Sequence, residues 1–266
     1  MPTNSPSSRA AKVSALFADA REEGDLSASS LAALSIDADM ADRIAAGLGA
    51  TPDDIPATEV VLVTMMPDDS GSIRFAGNTQ AVREGHNLVL DSLGASKTPA
   101  DILVHTRYLN GQVLFPYLPL RDAVRMDRSN YDPSLGTPLY DETVVLLGTV
   151  LAKTRELEGA GIPVRTITLL ITDGADEGSS RHGARSVRHL VDDLLRRECH
   201  IVAALGIDDG STDFRQVFGE MGIPPEWILT PGSTASEIRK AFRVFSQSAV
   251  RMSASAAPSA VGGFVN

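Results

Sequence analysis

The chain has 266 residues, 43% hydrophobic and 22% charged, with a formal net charge of −10 at pH 7. That is apolar material for one sizeable core, and with aromatics at 5% the core is aliphatic. The acidic balance argues against binding along a phosphate backbone, and no apolar run approaches the roughly 20 residues of a membrane helix.

Residues 1–8 are rich in Ser and Pro, carry no apolar signal core and read as disordered, which makes the protein cytoplasmic on this reading. From Arg9 to about Glu23, Val13, Leu16, Phe17 and Ala20 recur at helical spacing. Ser27 to Leu34 and Asp39 to Leu48 read as two more short helices, the second closed by Gly49 as a C-cap. Asp53-Asp54-Ile55-Pro56 ends the pattern, so residues 9–57 form an N-terminal helical appendage. A helix-turn-helix competes for this triplet, but it lacks the Lys and Arg cluster of a DNA-binding module, so no nucleic acid partner is expected.

From Glu59 the pattern changes to apolar runs alternating with amphipathic stretches. Strands are predicted at Val60–Thr64, Ile102–Thr106, Val113–Tyr117, Thr166–Thr172 and Ile201–Gly206. Four of these are apolar on both faces, as parallel strands between helix layers are. The third contains Pro116, which suits an edge, and Asn110-Gly111 joins it to the second as a hairpin. Helical stripes follow at Val187/Leu190/Val191/Leu194, at Phe214/Val217/Phe218/Met221 with Gly222 as terminator, and at Ile238/Ala241/Phe242/Phe245/Ala249. Thr234 to Glu237 has capping-box spacing before the last stripe. The alternation predicts an α/β fold: a doubly wound, Rossmann-like, mostly parallel sheet with one antiparallel edge strand, over residues 58–251. Residues 252–266 read as a flexible tail. The one cysteine, Cys199, stands at a strand entrance and reads as a buried structural thiol; no internal disulfide is possible.

Ligands of such sheets bind beyond the carboxyl ends of the strands. After the first strand come Asp68, Ser70 and Ser72, and after Thr166–Thr172 come Asp173 and Gly174. Gly136-Thr137-Pro138-Leu139-Tyr140-Asp141 opens a helix, with Pro138 in its first turn and Thr137 at the N-cap. Two carboxylates and three hydroxyls thus reach one end of the sheet, and these are the oxygens a hard divalent cation takes. The cage is weakly charged, so a bound cation keeps net positive charge and an open position for an anionic group.

This constellation resembles the metal-ion-dependent adhesion site of the von Willebrand factor A (VWA) family. The family pattern is Asp-x-Ser-x-Ser after the first strand, a central Thr, and an Asp after a later strand. Asp68, Ser70 and Ser72 match the first element, Thr137 the second and Asp173 the third. Ala81-Val82-Arg83-Glu84-Gly85, leading to Leu90-Asp91-Ser92-Leu93, also looks like the family's first helix. The match covers about residues 59–250 and is closest to the bacterial, tellurium-resistance-associated branch. The resemblance implies a Rossmann-like domain that holds Mg²⁺, or Mn²⁺ or Ca²⁺, and uses it to grip an Asp or Glu of a protein partner. It further implies that Ser70 and Ser72 bind the metal directly, Thr137 directly or through water, and Asp68 and Asp173 through water. The chain departs from the pattern where Met65-Met66-Pro67 separates the apolar strand from Asp68, a spacing that sets the loop off the strand end. The segment before Glu59 also lies outside the basic family domain.

Other readings compete. Asp-Ser-Gly-Ser alone is ordinary turn chemistry; the Thr137 and Asp173 segments are what favour a site. Ser70 as a nucleophile, with His86, His105 or His182 as base, lacks the Gly-x-Ser-x-Gly elbow. A Mg²⁺-dependent phosphohydrolase would use the same carboxylates, but the nearest cation in sequence is Arg74. A third alternative is a VWA-like scaffold with an empty metal site and a partner surface on residues 9–56. The five histidines have no zinc spacing. Asp69 reads as solvated, Asp176-Glu177-Gly178 as rim charge, and Asp208-Asp209-Gly210-Ser211 as a solvated loop with a helix cap.

Overall fold

Unbroken Val, Ile and Leu runs can be strands only where both faces are covered, and that requirement organises the molecule. The computed structural model describes residues 8–34, 38–57, 59–96, 101–254 and 262–264. Among them, six strands form one sheet in the order β3-β2-β1-β4-β5-β6. They are β1 (Val60–Pro67), β2 (Ile102–Arg107), β3 (Val113–Pro119), β4 (Val164–Thr172), β5 (His200–Gly206) and β6 (Ile228–Leu229). Every pairing is parallel except β2 with β3. β1, β2, β4 and β5 are buried at every position, whereas β3 carries Pro116 at the edge. The Asn110-Gly111 hairpin closes with Tyr108 N–H donating to Gln112 O at 2.8 Å. The two-residue β6, absent from the sequence reading, is too short to carry a periodic signal.

Helices α5 (Thr79–Gly94) and α9 (Ala235–Ala254) pack together over one face. Helices α6 (Leu139–Gly159) and α7 (Ala184–Arg196) cover the other, with α8 (Phe214–Glu220) beside α7; α4 (Gly71–Phe75) is a single turn after β1. Half of the Thr234 box forms: Glu237 N–H donates to Thr234 Oγ1 at 3.3 Å, while the Glu237 carboxylate accepts the Thr234 hydroxyl at 2.5 Å.

The N-terminal helices α1 (Ser8–Glu22), α2 (Ala28–Leu34) and α3 (Ala38–Ala45) form a third layer outside α6 and α7. This layer explains a feature of α6 that one-face periodicity does not. Residues 141–154 are all buried, more than three turns, so both the sheet side and the outer side of α6 are covered. The helices come close at Gly148, where a Cβ would lie 2.7 Å from Leu34 Cδ2 and 2.8 Å from Ile44 Cδ1. Val13, Phe17, Leu34 and Ile44 belong to the same apolar cluster as Val61 and Ile167 of the sheet.

Gly49 is not the C-cap of α3, which ends at Ala45. It takes φ +57° where the chain crosses the outer edge of β3. There Tyr117 N–H donates to Gly47 O at 2.9 Å and Ala50 N–H to Tyr117 O at 2.8 Å. A Cβ at Gly49 would sit 2.1 Å from Tyr117 O, so only glycine lets this segment cover the edge. Lys153, fully buried on α6, donates to Ala50 O and to Glu156 Oε2.

Helix α9 runs on to Ala254, past the expected start of the tail at 252. Phe264 returns to the domain: its N–H donates to Glu226 O at 3.0 Å and its ring meets Trp227 edge-on at 5.0 Å. Residues 1–7, 255–261 and 265–266 of the two segments read as disordered or flexible lie outside the described residues. Cys199 is half-buried rather than fully buried, and burial pushes its thiol up. No described helix is long and apolar enough to cross a membrane.

Four histidines are buried, and His86, His105 and His200 lie deeper than His182. Burial depresses His200 from an ordinary 6.5 to about 3, while its Nδ1 pairs with Thr166 Oγ1 at 2.8 Å. A depressed folded value means the unfolded chain binds the proton first, so this contribution is full above about pH 6.5 and is lost as pH falls. His200→Gln should therefore gain about 2 kcal/mol relative to wild type between about pH 7.5 and about pH 5, read by urea unfolding at the two values. A pH-independent difference would show that His200 is not held neutral by the fold.

Candidate metal centre

The crossovers from β1 and β4 leave in opposite directions in the sheet, which opens a crevice at the carboxyl ends of these two neighbours. Asp68 follows one strand and Asp173 the other. The expected displacement by Met65-Met66-Pro67 does not occur. Those residues continue β1, Pro67 pairs with Ile171 of β4, and Asp68 leaves the strand end directly. Proline is tolerated there because it is the last position of the strand, and its carbonyl still accepts from Leu109 N–H at 3.1 Å.

Asp68 organises the loop. Its Oδ1 accepts the Ser70 N–H at 2.7 Å, and its Oδ2 accepts the Thr172 hydroxyl at 2.6 Å. The Tyr131 hydroxyl donates to its carbonyl oxygen. Ser70 Oγ lies 2.8 Å from Ser72 Oγ, which in turn donates to Asp173 Oδ1 at 2.5 Å. Four of the five predicted residues are thus joined in one hydrogen-bonded chain.

Thr137 is brought in by backbone pairing. Gly71 N–H donates to Leu135 O at 3.0 Å, and Ser134 and Leu135 N–H donate to Asp69 O at 2.9 and 3.2 Å. Thr137 stands two residues further on, and its carbonyl accepts from Glu177 N–H at 3.0 Å. It is 5% exposed, and its hydroxyl bonds to no described residue. The N-cap assignment is corrected: α6 begins at Leu139, and Thr137 precedes the cap residue Pro138. The N–H groups of Tyr140 and Asp141 go instead to Ser179 Oγ, at 3.1 and 2.9 Å, and Tyr140 also to Asp176 Oδ1. Asp176 is therefore a tertiary cap on α6 rather than rim charge, and the Thr137 hydroxyl is left free.

Asp69 is buried, not solvated: Asn110 N–H donates to its Oδ1 at 3.0 Å and Asn110 Nδ2 to its Oδ2. Its partner Asn110 comes from the hairpin after β2, and no local pattern announces that pairing. Thr172 and Tyr131 were also missed; Thr172 reads as an ordinary strand end, and Tyr131 lies in a loop without periodicity.

The electrostatics are one-sided. Burial raises the Asp68 carboxyl, raises Asp69 to about 7, and raises Asp173 to about 6 with the help of the charge on Asp68. The nearest cation in sequence, Arg74, is an exposed partner of Asp132. Asp209 stays at about 2: burial pushes it up, but hydrogen bonds from Ser211 and Thr212 outweigh that. The helix cap falls outside the Asp208–Ser211 stretch: Asp213 caps α8 by accepting the Gln216 N–H at 3.1 Å.

These donors fit a hard divalent cation. They are hydroxyl and carboxylate oxygens, one hydroxyl is unpartnered, and the negative charge between the strand ends is uncompensated. Among the described residues no group of three or more His, Cys, Asp or Glu is placed to hold a metal, so any centre here must draw on hydroxyls. A Ser70 triad is not assembled. His86 pairs with Thr106 Oγ1 at 2.9 Å and His105 with Phe115 O at 2.7 Å, and neither these nor His182 bonds to Ser70.

No protein-family model matches the chain, and no curated protein matches it. Solved structures do. The pilus adhesin SpaC from Lactobacillus rhamnosus GG is 14% identical over 74% of this chain and 31% of its own, with a TM-score of 0.54. Proximal thread matrix protein 1 from the mussel byssus is 18% identical over 73% of this chain and 47% of its own, with a TM-score of 0.51. The chain thus spans less than half the length of either. At these identities the likeness is one of fold: an α/β, Rossmann-like sheet with one antiparallel edge strand, the fold that the VWA resemblance implies. The SpRpn10 VWA domain is 9% identical over 69% of this chain and 93% of its own, with a TM-score of 0.46, too low to carry an argument.

Proposed function

We propose that this chain is a non-enzymatic protein-interaction module of the VWA type. Its binding face is the cluster Asp68, Ser70, Ser72, Thr137 and Asp173, and its partner presents an Asp or Glu. The observation that carries the reading is the run of hydrogen bonds from Asp68 through Ser70 and Ser72 to Asp173, beside buried carboxylates with raised pKa values. Ser70, Ser72 and Thr137 supply neutral hydroxyl donors. Asp68 orients Ser70 through its N–H, and Asp173 orients Ser72 through its hydroxyl. A bound Mg²⁺, Mn²⁺ or Ca²⁺ supplies a positive charge with a free position for a carboxylate. The phosphohydrolase alternative has no observation in its favour, since Arg74 is committed to Asp132. A cytoplasmic location remains part of the same proposal.

Calorimetric titration with Mg²⁺ or Mn²⁺ tests the centre. Wild type should give a saturable heat that Ser70→Ala/Ser72→Ala loses. Identical heats from the two proteins would sink the reading.

A further inference from the structure

The described residues leave three large apolar side chains exposed: Phe75 at 90%, Leu135 at 54% and Val124 at 40%. Isolated exposed apolar residues are ordinary, but two of these three flank the candidate centre. Phe75 ends α4, three residues past Ser72, and its ring leans back over the motif loop. A Cβ on Gly71, between the two serines, would lie 3.3 Å from Phe75 Cε2 and 3.8 Å from Cδ2. Leu135 bridges to Ser70 in parallel register and accepts the Gly71 N–H at 3.0 Å. The exposed Arg74–Asp132 ion pair ties α4 to the segment that carries Leu135.

Nothing in the fold needs these side chains where they are. Neither belongs to the apolar core, and the Leu135 backbone contacts ask nothing of its side chain. Leu135 is held by the Gly71 N–H hydrogen bond beside the centre, and Phe75 ends the helical turn that contains Ser72.

We propose that Phe75 and Leu135 form an apolar rim that selects the partner. The occupant is a protein segment in which the acidic side chain entering the centre is flanked by apolar residues. This rests on the proposed adhesion-type function and adds the chemistry of the partner to it. The two halves are complementary: the cluster takes the carboxylate, while the rim removes neighbouring apolar surface from water. A charged group alone gives the centre little discrimination among the many surface Asp and Glu residues of other proteins, whereas the rim rejects acidic residues in polar surroundings.

The test uses the full chain and a displayed peptide library with a fixed central Glu or Asp and randomised flanks, selected in Mg²⁺. The expected result is enrichment of peptides with Phe, Leu, Ile, Met or Trp beside the acidic residue. Phe75→Ser/Leu135→Ser should bind those peptides at least about tenfold more weakly while keeping the wild-type Mg²⁺ heat. Both positions are exposed, so the variant is expected to fold, and its circular dichroism checks this. Failure to enrich apolar flanks overturns the proposal, as does equal binding by the variant. Loss of the Mg²⁺ heat in wild type, or capture that survives chelator, instead overturns the metal-dependent reading beneath it.

Discussion

Deleting residues 1–57 is expected to abolish cooperative folding of the remaining chain. The reason lies in α6, whose residues 141–154 are buried on every side. The N-terminal helices cover its outer stripe with Phe17, Leu34, Met40 and Ile44, all buried. Each such side chain contributes about 1.5–3 kcal/mol on burial, and four already approach the roughly 5–15 kcal/mol of a whole domain. The deletion also strands polar groups. Lys153 loses Ala50 O and keeps only Glu156 Oε2, and Tyr117 loses both backbone bonds that cover the edge of β3. An under-satisfied ammonium and a reopened edge strand each favour aggregation or a loosely packed state. The truncated chain should bind a hydrophobic dye and melt without a transition. A sharp melt within a few degrees of the full chain would show that α1–α3 are dispensable and restore the view of an appendage.

The second large effect is metal-dependent stability. Saturating Mg²⁺, at about 100 times its dissociation constant, should stabilise the fold by about 2.7 kcal/mol. For a chain of this size that is a rise in Tm of roughly 5–10 °C. The physical source is the charge at the ends of β1 and β4, where Asp68 raises Asp173 and no lysine or arginine among the described residues acts on either carboxyl. EDTA should reverse the shift. Asp173→Ala should remove it, because Ser72 loses its hydrogen-bond acceptor along with the charge. Thr137→Val, which removes one hydroxyl at constant shape, should reduce it. Equal shifts in wild type and Asp173→Ala would place the cation elsewhere.

Much of the architecture was legible before folding. Five strands and the antiparallel edge follow from apolar runs, from Pro116 and from Asn110-Gly111, because each signal lies within a few residues of the element it describes. Asp68, Ser70, Ser72 and Asp173 were legible for a related reason: a strand end followed by oxygen donors has few places to go in a doubly wound sheet. Thr137 was placed at the sheet end as an N-cap, a duty that Asp176 and Ser179 take from a distant loop. Asp69 was misread because the same carboxylate serves a solvated turn or a buried pairing with Asn110, and only the position of the hairpin decides between them.

The sequence by itself determined the element types, the parallel sheet and the chemistry of the donors at its end, since these depend on periodicity and on what each side chain can bond. Only the tertiary structure decided that β1 reaches Pro67 and delivers Asp68 directly, that α1–α3 complete the core around α6, and that Phe75 and Leu135 stand bare beside the centre. Those are matters of burial, and burial is set by residues far apart in the chain: Ile171 for Pro67, Leu34 and Ile44 for Gly148, Ser70 for Leu135.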